Sequence, residues 1–326
     1  MNLGQPYNQG VAEIFSNFAG DPCLSKACRS VCPVGFTCMR ARPPRSGELR
    51  LDLSGCNLAC PFCWTIDRPS WRTPTEICDH ITCRLEQYHK SDVDMGIVYM
   101  RVTGGEPILN RRRMSHLMEI VRILDDRVAK VSSYSQWKQR RSPSNVWGRR
   151  NIKIQTNGTK LPDVLDSMVA LLREVQNICL TFEVSLKGTN AEEFSVLSGR
   201  ETGFKDQISA LERLIECEKQ GYPIFARAIV GILHSEQYDL VSPSNGQKMM
   251  LNPSGDFRRI VEELATMPLP QQRVYVEPLR FTDQMKDAEL RCRSLGILAP
   301  SEIGKCISPG KKLALSRTYL RELVRT

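Results

Sequence analysis

The stretch CNLACPFCW, at residues 56–64, carries three cysteines in the spacing C-x3-C-x2-C, with an aromatic residue on each side of the last one. The three thiolates come from Cys56, Cys60 and Cys63, whereas a closed tetrahedral metal site needs four ligands. Two interpretations remain open at this point. A zinc ion could take its fourth ligand from a remote Cys or His, or a [4Fe-4S] cluster could be held by three thiolates with one iron left open.

The segment before the cysteines is the first of six similar units. Residues 49–55 alternate apolar and polar side chains, which is typical of a strand that runs into a loop. The same order of strand, turn and helix recurs, with further strands predicted at 95–102, 152–158, 180–188, 223–232 and 273–280. Strands separated by helices form parallel sheets, and too little chain follows the sixth for two more units of a closed eight-unit barrel. The sequence therefore predicts an α/β fold built on an open six-unit barrel, with reactive groups at the carboxyl ends of its strands.

The composition of the chain narrows the class of protein. Its 326 residues, 41% of them hydrophobic, can bury a sizeable core. It shows neither a signal-peptide pattern nor an apolar stretch long enough to cross a membrane. Thirteen cysteines, an odd number in a chain of this length, indicate metal binding in a reducing compartment rather than a disulfide framework. We therefore expect a soluble cytoplasmic protein, and its net charge of +9 permits a polyanionic partner without requiring one.

The turn after the second predicted strand has the sequence TGGEP, at residues 103–107. Gly104 and Gly105 stand where the backbone must approach a ligand closely, and Glu106 is expected to present a carboxylate beside exposed amides. Such a turn favours a ligand with an ammonium group. Its position one strand–helix unit after the cysteines favours the open cluster over zinc.

Together, CNLACPFCW and TGGEP resemble the motifs of the radical S-adenosylmethionine (SAM) enzymes. The resemblance implies a partial (β/α)6 barrel over about residues 47–283, with a [4Fe-4S] cluster and SAM as cofactors and an electron donor such as flavodoxin or ferredoxin. In this family the open iron binds the amino and carboxylate groups of SAM. An electron from the cluster cleaves SAM to methionine and a 5′-deoxyadenosyl radical, which abstracts a hydrogen atom from the substrate.

The resemblance also implies roles for individual residues. Cys56, Cys60 and Cys63 would be the cluster ligands, and Phe62 would pack near the adenine of SAM. The turn would receive the methionine amino group through Gly104, Gly105 and Glu106, with Pro107 shaping the turn.

Within the family, the third and fourth strand ends resemble those of the activases of glycyl radical enzymes. The motifs are QTNG at residues 155–158 and SLKGTNAEEFSVLSG at 185–199, where Lys187 would reach the SAM carboxylate beside Ser185. Gln155 and Ser185 replace two aspartates that hold a cation in some activases, which argues against a cation site. Alternatively, Lys187 extends from a strand end into solvent and binds no ligand. Arg227 is a weaker candidate for SAM binding.

Two flanking segments and one insertion surround the predicted barrel. The N-terminal extension, residues 1–46, contains four cysteines for which a second iron–sulfur cluster, a zinc ion and free thiols all remain open: Cys23, Cys28, Cys32 and Cys38. Residues 284–326 form a C-terminal tail. The insertion at 131–150 combines basic residues with two tryptophans, which allows RNA binding, although a solvated surface loop is the simpler interpretation.

Three functions remain at this point. The first is an activase-like radical SAM enzyme acting on an unknown protein, peptide or small molecule. The second is a radical SAM enzyme that modifies tRNA, as the wyosine-base synthases do. The third is a metal-binding module without catalysis.

Overall fold

The computed structural model describes residues 34–35, 48–53, 55–63, 72–89, 99–130, 150–232, 253–268, 273–278 and 313–314. Three predicted features lie outside these ranges: the four cysteines of the N-terminal extension, nearly all of the basic insertion, and most of the C-terminal tail. Arg150, the last residue of the predicted insertion, is the first residue of a strand.

The described strands form one sheet in which every strand pairs with its neighbour in the sequence. The strands are β1 (Val34–Gly35), β2 (Glu48–Leu53), β3 (Tyr99–Gly104), β4 (Arg150–Thr156), β5 (Ile178–Lys187), β6 (Ile224–Ile232), β7 (Val274–Pro278) and β8 (Leu313–Ala314). The six strands from β2 to β7 are parallel, which confirms the predicted six-unit open barrel.

The antiparallel pairs at the two edges were not predicted. β1 pairs with β2, and β8 pairs with β7, so a short strand covers each edge of the parallel sheet. Both strands have two residues, too few for an alternating pattern to show in the sequence.

Six helices lie in the described ranges. They are α1 (Pro74–His89), α2 (Arg111–Lys130), α3 (Leu165–Leu172), α4 (Ala191–Ser198), α5 (Phe204–Lys219) and α6 (Gly255–Thr266). The sequence TPTE at residues 73–76 is typical of a capping box, and the structure confirms it: the Thr73 amide donates to Glu76 Oε2 and the Glu76 amide donates to Thr73 Oγ1. α3 begins only at Leu165, although apolar residues at helical spacing start at Leu161, because Pro162 disfavours helical geometry at the residue before it.

One face of the sheet forms the hydrophobic core with the helices. On β5 this face presents four fully buried side chains: Leu180, Phe182, Val184 and Leu186. They belong to the same apolar cluster as residues of α2, α3, α5 and α6. The opposite face of β5 carries polar residues and lines the lumen of the open barrel.

No helix within the described ranges is both long and apolar enough to cross a membrane.

Candidate functional site

The cysteine loop, residues 55–63, follows β2 and carries three half-buried cysteines. Two N–H groups point at one of these sulfurs. Leu58 N lies 3.4 Å and Asn157 Nδ2 lies 3.6 Å from Cys56 Sγ. Burial raises the pKa of the Cys56 thiol far above its usual range, with a further contribution from the charges of Glu106 and Cys60. N–H groups directed at sulfur stabilise a thiolate ligand once a cation is beside it.

Residues that follow other strands hold this loop in place. Ala59 N donates to Ser198 O at the end of α4, and Arg200 Nε donates to Asn57 O. Gly199 ends α4 with φ +65, and an added Cβ there would lie 2.7 Å from Ala59 O. The C-terminus of α4 therefore packs directly against the backbone of the cysteine loop.

A chain of amide and hydroxyl groups joins the cysteine loop to the end of β4. Asn157 Nδ2 donates to Asn57 Oδ1 at 2.9 Å, and Asn57 Nδ2 donates to Thr159 Oγ1 at 2.7 Å. Thr159 N and Oγ1 in turn donate to Asn157 Oδ1. The three side chains form a closed ring of hydrogen bonds beside Cys56.

The GGEP turn adopts a different arrangement from the expected one. Gly105 N donates to Leu53 O at the end of β2, and Glu106 N donates to Gly55 O in the cysteine loop, so these amides bind the protein backbone instead of facing a ligand. The Glu106 side chain is 2% exposed. Gly104 ends β3 with φ +94, a backbone conformation that glycine adopts without a Cβ clash.

The Glu106 carboxylate braces the turn against the end of β4. Oε1 accepts from Ile108 N and Thr156 Oγ1, and Oε2 accepts from Asn157 N at 2.7 Å. Burial raises the pKa of Glu106, and these hydrogen bonds oppose that rise. Three donors of the protein itself therefore occupy the Glu106 carboxylate. The sequence did not reveal these partners.

Arg113 of α2 is a site residue that the sequence analysis missed. It is 1% exposed, and Nη1 donates to Glu106 O at 2.9 Å and to Gly55 O at 3.3 Å. Its guanidinium group thus joins the cysteine loop to the GGEP turn, where Pro107 is also buried. An arginine inside a basic helix start, RRR, gave no signal that one of the three points inward.

Gln207 of α5, which is fully buried, ties the third strand end to the fourth. Nε2 donates to Asn157 O and Ser185 O, and Oε1 accepts from Lys187 N. Gly158 lies in the same turn with φ +77, and an added Cβ would lie 2.9 Å from Val184 Cγ1. The QTNG and SLKG turns are therefore fixed relative to each other by one glutamine side chain.

The structure brings Lys187 to the cysteine loop, as the sequence analysis expected. Its ammonium nitrogen lies 5.5 Å from the centroid of the Phe62 ring and 2.7 Å from Ser185 Oγ. A cation over an aromatic face is a favourable contact. Phe62, Ser185 and Lys187 thus form one small surface beside the cysteines.

Arg227 of β6 lies deeper in the lumen, away from this surface. Its Nη1 donates to Glu183 Oε1 at 2.8 Å, and Gln155 Nε2 donates to Glu183 Oε2 at 2.9 Å. Gln155 Oε1 also accepts from Thr103 Oγ1. The four side chains form a row across β3, β4, β5 and β6.

The arrangement of the thiols bears on which metal group the loop can hold. Among the residues that the structure describes, no three His, Cys, Asp or Glu side chains converge on a point that a single metal ion would occupy. A [4Fe-4S] cluster does not need such convergence, because each cysteine binds a different iron. The donor set of three thiols on one loop, with N–H groups aimed at Cys56 Sγ, fits a cluster.

Comparison with known proteins identifies the family. The profile described as "Radical SAM superfamily" matches residues 52–235, more than half of the chain. The chain belongs to the radical SAM superfamily. A [4Fe-4S] cluster and SAM are the cofactors of this family, whose members need a reductant.

Two curated members of the radical SAM superfamily are similar to the chain. GTP 3′,8-cyclase of Parasynechococcus marenigrum is 30% identical over 173 residues, which cover 50% of this chain and 39% of the relative. GTP 3′,8-cyclase of Synechocystis sp. is 26% identical over 216 residues, which cover 64% of this chain and 54% of the relative. The chain therefore spans about half the length of these relatives or less.

Most residues that were predicted to bind SAM lie at the cysteine loop. Phe62 belongs to the loop, and it is adjoined by Gly104, Gly105, Glu106, Pro107, Ser185 and Lys187. Arg227 does not adjoin the loop. Glu183, which the sequence analysis missed, had a signal, because Thr181, Glu183, Ser185 and Lys187 occupy every second position of β5. No pattern in the sequence marked Asn57, Arg113 or Gln207 as site residues, because their roles depend on contacts with distant parts of the chain.

Proposed function

We propose that this chain holds a [4Fe-4S] cluster through Cys56, Cys60 and Cys63 and uses it to cleave SAM reductively. The observation that supports the proposal best is the packing of one three-thiol loop against the ends of the next three strands. The GGEP turn, the Asn157 side chain and the C-terminus of α4 each donate to or accept from this loop. When bound, the cluster supplies the electron that releases a 5′-deoxyadenosyl radical from SAM for hydrogen abstraction.

The cysteine loop is shaped to keep its thiols in fixed positions. Cys63 N donates to Cys60 O in a tight turn, and Leu58 N and Asn157 Nδ2 point at Cys56 Sγ. Three protein ligands leave the fourth iron for a small-molecule ligand. We propose that the amino and carboxylate groups of SAM take this position.

The residues beside the loop would bind the rest of SAM. Lys187 would pair with the SAM carboxylate, because its ammonium is held toward the loop by Ser185 Oγ and the Phe62 ring. Phe62 would pack against adenine. Gly104 and Gly105 would receive the methionine amino group, with Glu106 and Pro107 acting by fixing the turn.

The substrate is best proposed as a small molecule. The curated relatives are named for a reaction of GTP, which is a small molecule, and neither is an activase. The activase-like alternative, with a protein or peptide substrate, rests on QTNG and SLKG. Gln155 and Ser185 of those motifs are engaged with Thr103, Glu183 and Lys187, which leaves that alternative without a structural observation in its favour.

Three further predictions, on RNA, the electron donor and the domains, stand as proposals. The tRNA-modifying alternative depends on the basic insertion, which lies outside the described residues. Flavodoxin or ferredoxin would be the electron donor. The proposed domains are an extension at 1–46, a barrel at 47–283 and a tail at 284–326. The extension would hold an auxiliary metal through Cys23, Cys28, Cys32 and Cys38.

The proposal is tested by anaerobic reconstitution of the chain with iron and sulfide, followed by dithionite and SAM. Wild-type protein is expected to form 5′-deoxyadenosine, and Cys60→Ala is expected to form none above background. Cys217→Ala is the matched control, because this buried cysteine packs in the core and should leave the yield unchanged. Equal product from Cys60→Ala and wild type would refute the proposal.

A further inference from the structure

Charged side chains line the lumen of the barrel beside and below the proposed SAM surface. Alternate residues of the parallel strands face the lumen, and the register aligns them in rows. Among strand residues whose side chains the structure describes, those with charge on this face are one carboxylate, Glu183, and four cations: Arg101, Lys153, Lys187 and Arg227. Lys187 belongs to the proposed SAM surface, whereas Arg227 pairs with Glu183 deeper in the lumen.

Arg227 is a lumen cation with unused donor capacity. It is 9% exposed, and within the described part of the chain its Nη1 donates to Glu183 while its Nε atom is buried without a hydrogen-bond partner. The rings of Tyr275 and Phe225 lie 5.0 Å and 5.4 Å from the guanidinium carbon. The side chain is thus held by two aromatic rings and one carboxylate, with donor capacity to spare.

Arg273 shows what a purely structural buried arginine looks like in the same molecule. Its guanidinium donates to both oxygens of Glu218, to Ala226 O and to Pro268 O. Buried polar groups in folded proteins nearly always find such partners, and an unsatisfied one calls for an explanation. Unlike Arg273, Arg227 therefore keeps a buried donor from which a ligand could accept.

The position of Arg227 distinguishes this ligand from SAM. SAM has one carboxylate, for which Lys187 is the proposed partner. In the register, Glu183 pairs with Arg227, whereas Lys187 pairs with Gly231, four residues further along the strands. At about 3.3 Å per residue, that separation is roughly 13 Å along the strand direction. Arg227 is therefore placed for a second molecule that lies deeper in the lumen.

We propose that Arg227, oriented by Glu183, binds an oxyanion group, a phosphate or carboxylate, of a small-molecule substrate in the barrel lumen. The inference rests on the proposed function, because it places the substrate beside the radical-forming site. Glu183 keeps the guanidinium in position, since it also accepts from Gln155. Arg101 and Lys153 lie one row deeper on the same face of β3 and β4.

The test is isothermal titration calorimetry on reconstituted, SAM-saturated protein, with inorganic phosphate and succinate as separate titrants. At least one titrant is expected to bind wild-type protein, and the stronger one identifies the oxyanion. Affinity is expected to fall on the order of tenfold in Arg227→Gln, because a charge-assisted hydrogen bond is lost. Glu183→Gln, which keeps the arginine and removes the carboxylate, is expected to bind at least as tightly as wild type.

Two variants control for folding and for surface binding. The double variant Glu183→Gln with Arg227→Gln removes both charges together, so that no lone buried charge remains, and it should lose affinity like Arg227→Gln. Arg173→Gln removes an exposed arginine that also lies over a tyrosine ring, Tyr222, and should bind like wild type. Thermal melts of each variant identify any that fail to fold.

The inference is overturned if neither titrant binds wild type or if the double variant binds as tightly as wild type. It fails separately from the proposed function. Wild-type protein that forms 5′-deoxyadenosine but binds neither anion loses only the lumen site. Protein that binds the anion through Arg227 but never cleaves SAM keeps the lumen site and loses the proposed function.

Discussion

The two faces of β5 have opposite chemical character. Leu180, Phe182, Val184 and Leu186 face the helices and are completely buried among apolar side chains. Thr181, Glu183, Ser185 and Lys187 alternate with them and face the lumen, where they bond to side chains of the adjacent strands and to each other. One strand thus serves stability on one face and ligand binding on the other.

The energetics of the two faces differ for a physical reason. Burying apolar area stabilises a fold directly, by about 25 cal/mol for each Å² removed from water. Hydrogen bonds and buried ion pairs contribute little net stability, because the same groups bond to water in the unfolded chain. A row of polar side chains inside a barrel is therefore better explained by a ligand than by folding.

The largest expected effect compares two neighbouring faces of the same strand. Phe182→Ala should lower the free energy of unfolding by about 3–5 kcal/mol, because it leaves a cavity in the core. Ser185→Ala on the lumen face should change it by less than about 1 kcal/mol. Urea unfolding measures both, and equal losses would contradict the division between the faces.

A titrating group on the helix side gives the next prediction. Burial, with the nearby charge of Arg113, lowers the pKa of His116 on α2 from 6.5 to about 4. Because the unfolded state binds the proton first as pH falls, folding should lose about 2 kcal/mol between pH 7 and pH 5 through this group.

His116→Gln isolates that contribution. The variant should lose less stability than wild type over the same pH range, measured by urea unfolding at several pH values. Parallel pH profiles for the two proteins would show that His116 titrates normally in the folded state.

The packing of the cysteine loop can be tested with two glycines that both have positive φ. An added Cβ at Gly199 would lie 2.7 Å from Ala59 O, whereas one at Gly221 would meet nothing within 4 Å. Both alanine variants pay about 1 kcal/mol for the left-handed backbone. Only Gly199→Ala should also lower the iron content after reconstitution. Equal iron contents in the two variants would show that the packing of α4 does not hold the cysteine loop for cluster binding.

The smallest effect concerns the polar side of the site. Asn157→Ala removes the N–H that points at Cys56 Sγ and should lower the midpoint potential of the cluster, by an amount on the order of tens of millivolts. Asn151→Ala is the control, because Asn151 is a nearby asparagine on β4 whose side chain donates to Thr181. A redox titration followed by electron paramagnetic resonance gives both potentials, and an equal shift in the two variants would exclude a specific role of the Asn157 N–H.

Much of the fold could be predicted from the sequence, because it rests on local patterns. The alternation in each strand, the capping box at Thr73 and the glycine turns all lie within a few residues of one another. The order of the six parallel strands follows from their helical crossovers. The edge strands β1 and β8 escaped because their pairing is set by distant parts of the chain.

The site could be predicted only in part, for the same reason. The cysteines, the GGEP turn and Lys187 stand at strand ends, which the topology brings together. The inward turn of the Glu106 carboxylate could not be foreseen, because its partners Thr156 and Asn157 lie about fifty residues away in the sequence. The pairing of Arg227 with Glu183 required the register of β5 and β6, which periodicity alone does not give.

The most direct test of the central claim is the electron paramagnetic resonance spectrum of the reconstituted, dithionite-reduced protein before and after addition of SAM. A cluster held by Cys56, Cys60 and Cys63 with one iron open should give the spectrum of a reduced [4Fe-4S] cluster that changes when SAM is added. Cys60→Ala should lack that response. A zinc-binding chain without such a spectrum, or a wild-type spectrum that SAM leaves unchanged, would contradict the account.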